Sequence, residues 1–220
     1  LSGSDTAAAD FMSNVFPNVQ AVMSQDLSAG VNLPNVSTVA IDPSALTLQN
    51  SADVRAYFVG EETGFHNSLG FMTTPYNPSE GIDSTDAKLI FPDASLPSSY
   101  FTAAGNGRRR RENSPLWEGD FVDLGTLDAG TDINPFVVSN GANNENNGDI
   151  FTAFTNQNAD GLQHFVALAI EGTSYLLIGV EDAYGGDQDY NDVVFALNIG
   201  ADNVSYLASQ AVPLPPAALA

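Results

Sequence analysis

Residues 175–199 read YLLIGVEDAYGGDQDYNDVVFALNI, which is two apolar runs on either side of an acidic loop. The runs, residues 174–180 and 192–199, are rich in branched side chains and predict two buried strands. The loop between them, residues 181–192, holds five carboxylates and no basic residue. Two carboxylates about 5 Å apart repel each other by roughly 3 kcal/mol at an effective dielectric constant of 20. The loop must therefore bind a cation, take up protons or spread its side chains into solvent.

The order of the residues in this loop favours a bound cation over a solvated turn. Asp187, Asp189 and Asn191 alternate with other residues, so short oxygen-bearing side chains can converge from one side of a curved loop. Calcium fits such a loop because it accepts roughly six to eight oxygen ligands in a flexible geometry. The loop differs from an EF-hand, since it lies between strands and lacks the required Gly and Glu positions. The candidate ligands within it are Glu181, Asp182, Asp187, Asp189, Asn191 and Asp192.

Three stretches of the chain resemble an exported bacterial domain family of unknown function. They are EDAYGGDQDYNDVVF at residues 181–195, VRAYFVGEETGFHNSLGF at residues 54–71 and, more loosely, DGLQHFVALAI at residues 160–170. The resemblance covers roughly residues 53–199. It implies a β-sandwich, calcium binding and no enzymatic activity. It also implies that Glu61, which follows a strand as the family's acidic residue does, reaches the calcium loop.

Composition restricts the class of protein and its partners. The formal net charge is −21, from 27 acidic and six basic residues. Such a charge argues against a nucleic-acid partner and against anionic membrane surfaces. The two histidines and the absence of cysteine argue against a structural zinc site. Abundant Gly, Asn, Ser, Thr and Asp with a single lysine are typical of a secreted, loop-rich β protein.

About ten short strands separated by turn residues predict an all-β fold, an antiparallel β-sandwich or jelly roll. One of these strands is predicted at residues 204–207. We expect three parts: an N-terminal arm at residues 1–34, with a short helix and a linker, a calcium-binding β-sandwich domain at residues 35–208, and a Pro-rich tail at residues 209–220. Residues 212–220, VPLPPAALA, resemble the start of a PEP-CTERM sorting tail. This would fit a precursor that is sorted through an exosortase-type system and then trimmed.

Two features predict contacts between copies of the chain. Phe11, Val15 and Phe16 fall at helical spacing in the arm, which either packs on its own sandwich or docks on another subunit. A run of four arginines either forms an exposed basic loop or, on so acidic a protein, meets the carboxylates of a neighbouring copy. Unlike patches would meet head to tail, and a non-closing contact of that kind builds a filament. The arginines are Arg108, Arg109, Arg110 and Arg111.

These observations support two hypotheses about function. The first is a calcium-stabilised, secreted structural protein that assembles with copies of itself into a filament or matrix at the cell surface. The second is a calcium-dependent adhesin or carbohydrate-binding module with an extracellular polysaccharide as its partner. We expect no enzymatic activity, because the clustered carboxylates lie in one loop rather than on facing strands across a cleft.

Overall fold

A computed structural model describes residues 5–31, 33–74, 77, 79–82, 85–96, 116–143 and 148–212 of the chain. These residues form two antiparallel sheets and short helical segments, which confirms the predicted all-β sandwich with an N-terminal arm. The strands are β1 Thr38–Ile41, β2 Ala52–Gly60, β3 Ser68–Met72, β4 Lys88–Phe91, β5 Phe121–Leu127, β6 Asn134–Val138, β7 Ile150–Thr152, β8 Phe165–Ile170, β9 Tyr175–Val180 and β10 Val193–Asn198.

The larger sheet has six strands in the order β1-β8-β9-β10-β2-β5, and the smaller has four in the order β4-β3-β6-β7. Every residue of β8 and β9 is buried. Strands that are covered on both faces read as continuous apolar runs rather than as alternating ones. This explains why residues 174–180 and 192–199 show no alternation, and it requires a layer on each face of the six-stranded sheet.

The first of these layers is the four-stranded sheet. The inner core between the two sheets is built from aromatic and branched side chains, among them Phe58, Phe71, Phe91, Phe151, Phe165 and Phe195. Burying a side chain of this size contributes about 1.5–3 kcal/mol. The core therefore fixes how the two sheets face each other, and with them the loops at their ends.

The second layer is the N-terminal segment, residues 5–31, which we call the strap. It runs through α1 Thr6–Asp10, a π-helical turn Phe11–Val15, α2 Phe16–Val19 and the 3₁₀ turns Gln20–Ser24 and Leu27–Ala29. Asp5 caps α1 by accepting a hydrogen bond from the Ala8 amide at 2.8 Å. The chain stays helical past Pro17, although proline has no amide proton to donate. The π-helical turn lies just before α2, so Pro17 falls in the first turn of that helix, where the missing hydrogen bond is tolerated.

The strap lies on the outer face of the six-stranded sheet of its own chain. Phe11 is fully buried and its ring stacks on that of Tyr57 with centroids 4.0 Å apart, while Val15 and Phe16 are buried in the same layer. Of the two arrangements considered for the arm, the structure has the intramolecular one. Phe11, Val15 and Phe16 could contact a second copy only if the strap left its own sheet.

One local prediction was wrong. The strand expected at residues 204–207 is part of α3 Ala201–Ala208, in which Val204 and Leu207 are buried. These two residues are three apart, which places them on one face of a helix, and Gly200 (φ 84°) precedes the helix.

The predicted contact residues Arg108, Arg109, Arg110 and Arg111 lie outside the described residues, as does most of the Pro-rich tail. None of the helices in the described part of the chain has the length and apolar character that a bilayer crossing needs.

Candidate metal centre

The hairpin of β9 and β10 positions the acidic loop at one end of the sandwich. Val180 and Val193 face each other in the last pair of the ladder, so the residues that follow β9 and precede β10 begin as neighbours. Glu181 and Asp182 are the first two residues after β9, and Asp192 is the last residue before β10. The register of the hairpin thus brings together three carboxylates from the two ends of the loop.

The side chains of Glu181, Asp182 and Asp192 converge. Each offers a carboxylate oxygen, and these three oxygens lie within 4.8 Å of one another. Glu181 and Asp182 are each only 2% exposed. Within the described part of the chain, none of the three forms an ion pair with a basic residue. The cluster therefore gathers negative charge in a buried place without a side-chain cation to balance it.

A buried asparagine connects this cluster to the other sheet. Asn67, directly before β3, is fully buried and donates from Nδ2 to Asp182 Oδ2 at 2.6 Å. Its Oδ1 accepts from the Asn140 amide at 2.9 Å, and its backbone carbonyl accepts from the Ala94 amide at 2.7 Å. Asn67 thus joins three loops to the acidic loop and holds both sheets together at this end.

The acidic loop itself curls around the carboxylate of Glu181. Oε2 of Glu181 accepts from the Gln188 amide at 2.8 Å, and Oε1 accepts from the Ala183 amide at 3.3 Å. Gly186 packs so closely that a Cβ added there would lie 2.0 Å from Glu181 Oε1. Gln188 (φ 59°) and Tyr190 (φ 60°) adopt the left-handed region. Such backbone costs energy in residues other than glycine and persists where the surroundings enforce it, often at a ligand site.

Burial and mutual repulsion change the acidity of the loop. Burial, followed by the charge of Asp182, raises the pKa of Asp192 to about 9, and Glu181 adds to the effect. Burial also raises the pKa of Asp189, with further contributions from Asp187 and Glu181. Without a bound cation, Asp192 therefore keeps its proton at neutral pH. A dication close to it would replace that proton.

A buried histidine supports the backbone behind the cluster. His164, 1% exposed, has Nδ1 at 2.8 Å from the carbonyl oxygen of Glu181 and Nε2 at 3.0 Å from Asp160 Oδ2. The two contacts hold the imidazole ring through both of its nitrogens. The ring also stacks on Phe151, with centroids 3.8 Å apart. The place where β9 ends is thereby fixed.

The other predicted ligands have different surroundings. Glu61 is buried, and its two oxygens accept from the amides of Thr63 and Leu96, each at 3.0 Å. Asp187 is exposed, and Asp189 is half-buried with Oδ1 accepting from the amide of the buried Asn191 at 3.1 Å. Among the described residues, the carboxylates that converge closely enough to share one ion are those of Glu181, Asp182 and Asp192.

Two residues of the site, Asn67 and His164, were absent from the predicted set of ligands. Both lie in stretches that carry the family resemblance, and Asn67 follows a strand within an otherwise polar turn. Their side chains act on Asp182 and Glu181 across 115 and 17 residues of sequence, respectively. Local spacing cannot reveal contacts of that kind.

Comparison with known families gave one match. A family model described as "Domain of unknown function (DUF4114)" matches residues 127–200, which is less than half of the chain. The matched residues run from the end of β5 past β10 and include the acidic loop. This agrees with the predicted resemblance to a domain family of unknown function. No match was found among curated proteins or among solved structures.

The chemistry of the cluster suits a hard dication. Oxygen atoms bound to one calcium ion lie about 2.3–2.6 Å from it, so two of them are at most about 5 Å apart. The 4.8 Å spread of the three carboxylate oxygens meets this limit. Carboxylate and carbonyl donors suit calcium, magnesium or manganese rather than softer metals. Glu181, Asp182 and Asp192 are the residues that could hold such an ion.

Proposed function

We propose that this protein is a calcium-stabilised structural protein of the cell exterior that assembles with copies of itself. The observation that supports calcium is the buried convergence of Glu181, Asp182 and Asp192 without a basic partner in the described residues. Calcium would be held by these three carboxylates, with water or backbone oxygens completing its shell. Bound there, it would neutralise the loop and hold its two ends together, where β9 ends and β10 begins.

The sequence supports the proposed location and assembly. The strongly acidic composition suits a medium rich in divalent ions, and the VPLPPAALA end resembles a PEP-CTERM sorting segment. A head-to-tail contact would match Arg108, Arg109, Arg110 and Arg111 of one copy with carboxylates of the next. We propose a structural rather than a catalytic role, because the carboxylates of the cluster accept hydrogen bonds from the Asn67 side chain and from backbone amides of their own loop.

A second candidate function is a calcium-dependent adhesin or carbohydrate-binding module. Its support comes from two exposed aromatic rings, Phe65 at 40% and Tyr184 at 49% exposure. Each lies two residues from one end of the Asn67–Asp182 hydrogen bond, so both rings project from loops that meet at the cluster. Exposed aromatic rings beside a calcium ion could stack on sugar rings of a polysaccharide.

The test combines a metal titration with electron microscopy on the full chain. Metal-stripped protein should bind calcium in calorimetry, melt at a higher temperature with calcium than with chelator, and show filaments in negative stain. An unchanged melt and no heat of binding would overturn the metal site. Monomeric particles in calcium that bind a polysaccharide in a glycan array would favour the second candidate.

A further inference from the structure

The outer face of the six-stranded sheet is a continuous apolar surface. The strap covers it with buried side chains that include Phe11, Phe16, Val19, Val22 and Leu27. Proteins rarely leave an apolar face of this size exposed to water. The face comprises Tyr57, Val59, Val166, Leu168, Ile170, Tyr175, Leu177, Val194 and Ala196.

The layer between strap and sheet is separate from the inner core. The two hydrophobic clusters share no residue, since the inner core is formed by the opposite faces of the same strands. The strap could therefore leave without opening the core between the sheets. It behaves as a ligand that is attached to its own binding surface.

Specific polar contacts accompany the apolar ones. Both carboxylate oxygens of Asp5 accept from Arg55, at 2.9 and 2.8 Å. At the other end of the strap, the Leu27 amide donates to the carbonyl oxygen of Asp189 at 2.8 Å. The Leu27 side chain lies where a Cβ on Gly179 would be, 2.6 Å from Leu27 Cδ2. These contacts recognise one strap sequence in one register.

An exposed turn at residues 34 and 35 lies between the buried Leu33, which belongs to the same layer as the strap, and β1. Pro34 and Asn35 are both exposed, and Asn35 has a φ of 62°. A left-handed residue other than glycine is somewhat unfavourable, and straightening the turn would relieve that cost. Short strained hinges of this kind promote the exchange of a segment between copies.

We propose that the outer face of the six-stranded sheet is an interface between copies of this chain, in which the strap of one copy occupies the face of the next. This inference rests on the assembly that is part of the proposed function, and it names how assembly takes place. Exchange of the strap preserves every contact between strap and sheet. Its free-energy cost therefore comes from bringing the copies together and from changing the backbone of the turn at residues 34 and 35. Each copy has one strap and one face. If every strap binds the face of the next copy in an open filament, one end of the filament has a free strap and the other end has an uncovered face.

A cysteine pair can report which chain supplies the strap. A Cβ added to Gly60 would lie 3.1 Å from Met23 Cγ, and the chain has no cysteine of its own. The pair Met23→Cys and Gly60→Cys therefore places two Cβ atoms near the roughly 3.5–4.5 Å separation of a disulfide. Met23 belongs to the strap and Gly60 to β2, so the disulfide joins strap to sheet.

The variant is assembled in calcium under reducing conditions, oxidised, and separated on a denaturing gel without reductant. Exchange predicts a ladder of covalent multimers, whereas the single variant Met23→Cys should give no ladder. Assembled material that contains intramolecular disulfides alone would overturn the exchange and leave the proposed function intact. A covalent dimer without larger species would show reciprocal exchange between two copies and would overturn the open filament. If the parent chain forms no assembly in calcium, the proposed assembly fails together with the exchange.

A second variant keeps the proposal testable if the cysteine pair impairs folding. Asp5→Asn keeps a residue that can cap α1 but removes the ion pair with Arg55, so the strap should be released faster and the lag before assembly should shorten. An unchanged lag would contradict exchange, since release of the strap must come first. Met12→Ala at an exposed position of the strap is the control for this variant and should leave the lag unchanged. If the cysteine pair folds, its oxidation in the monomer before assembly should abolish assembly, and reductant should restore it.

Discussion

Asn67 Nδ2 donates a 2.6 Å hydrogen bond to Asp182 Oδ2, and both residues are almost fully buried. Asn67 precedes a strand of the four-stranded sheet, whereas Asp182 follows a strand of the six-stranded sheet. The bond therefore links the two layers of the sandwich at the acidic cluster. One side of the Asp182 carboxylate is thus hydrogen-bonded to Asn67, while its opposite side faces Glu181 and Asp192.

Replacing Asn67 should destabilise the protein through this link. Asn67→Asp keeps the size of the side chain but places an acceptor against Asp182 Oδ2, so a buried hydrogen bond becomes a repulsion. We expect a loss of about 2–5 kcal/mol in the free energy of unfolding, because a buried group left without its partner costs about 1–3 kcal/mol and a like charge adds to it. Urea denaturation would measure the loss. The exposed Asn156→Asp serves as the control and should change stability by less than about 0.5 kcal/mol.

Calcium should raise the melting temperature through the convergent carboxylates. At 100 times the dissociation constant, a ligand adds about 2.7 kcal/mol to the folded state. For a chain of this length, that corresponds to roughly 5–10 °C. Asp192→Asn should abolish most of the increase, whereas Asp187→Asn, on the exposed part of the same loop, should retain it. Calorimetric melts with calcium and with chelator measure both, and an equal loss in the two variants would contradict the assigned ligands.

The raised pKa of Asp192 predicts a pH dependence in the absence of metal. Its folded pKa is about 9, well above the value of about 3.9 in an unfolded chain. Between these values the folded state binds more protons than the unfolded state, so the free energy of unfolding falls as the pH rises. Metal-stripped parent protein should therefore lose stability between pH 5 and pH 8 relative to Asp192→Asn, as measured by urea unfolding at several pH values. Calcium should release close to one proton on binding at neutral pH, which calorimetry in buffers of different ionisation enthalpy can detect.

Gly186 should be essential to the loop because of its proximity to Glu181. A Cβ at Gly186 would lie 2.0 Å from Glu181 Oε1, so Gly186→Ala must displace the carboxylate or the backbone. We expect a loss of about 1–3 kcal/mol in stability and the loss of the stabilisation by calcium. Gly64→Ala is the matched control, since a Cβ there meets nothing within 4 Å. Similar melts for the two variants would show that Glu181 does not need its observed position.

The strap should contribute to stability independently of the metal. Phe11 is fully buried on Tyr57, so Phe11→Ala should cost about 3–5 kcal/mol in urea denaturation. The neighbouring Met12 is 38% exposed, and Met12→Ala should cost much less. The increase in melting temperature with calcium should persist in both variants. Its loss in Phe11→Ala would show that the strap is coupled to the metal centre.

The sequence was sufficient to predict the sandwich and the acidic loop because both are local patterns. Apolar runs separated by turn residues predicted most strands, and the spacing of the acids in residues 181–192 predicted a cluster. Which side chains surround the cluster, in contrast, depends on tertiary contacts that local patterns do not contain. Glu61, expected to reach the loop, accepts from the Thr63 and Leu96 amides, and its place in a metal site stays a prediction. Asn67 supports Asp182 across 115 residues of sequence. The helix Ala201–Ala208 was mistaken for a strand because its short apolar segment fits both periodicities.

The strand order of the larger sheet has a consequence for how the chain is made. β10 pairs on one side with β2, so the sheet joins Arg55 to Asn198. Contacts over such long sequence separations form slowly, since the intervening chain must first be closed into a loop. A ribosome must synthesise the chain past Asn198 before the sheet can close. The acidic loop immediately precedes β10, so it acquires its shape late, and any ion it binds would enter as one of the last steps of folding.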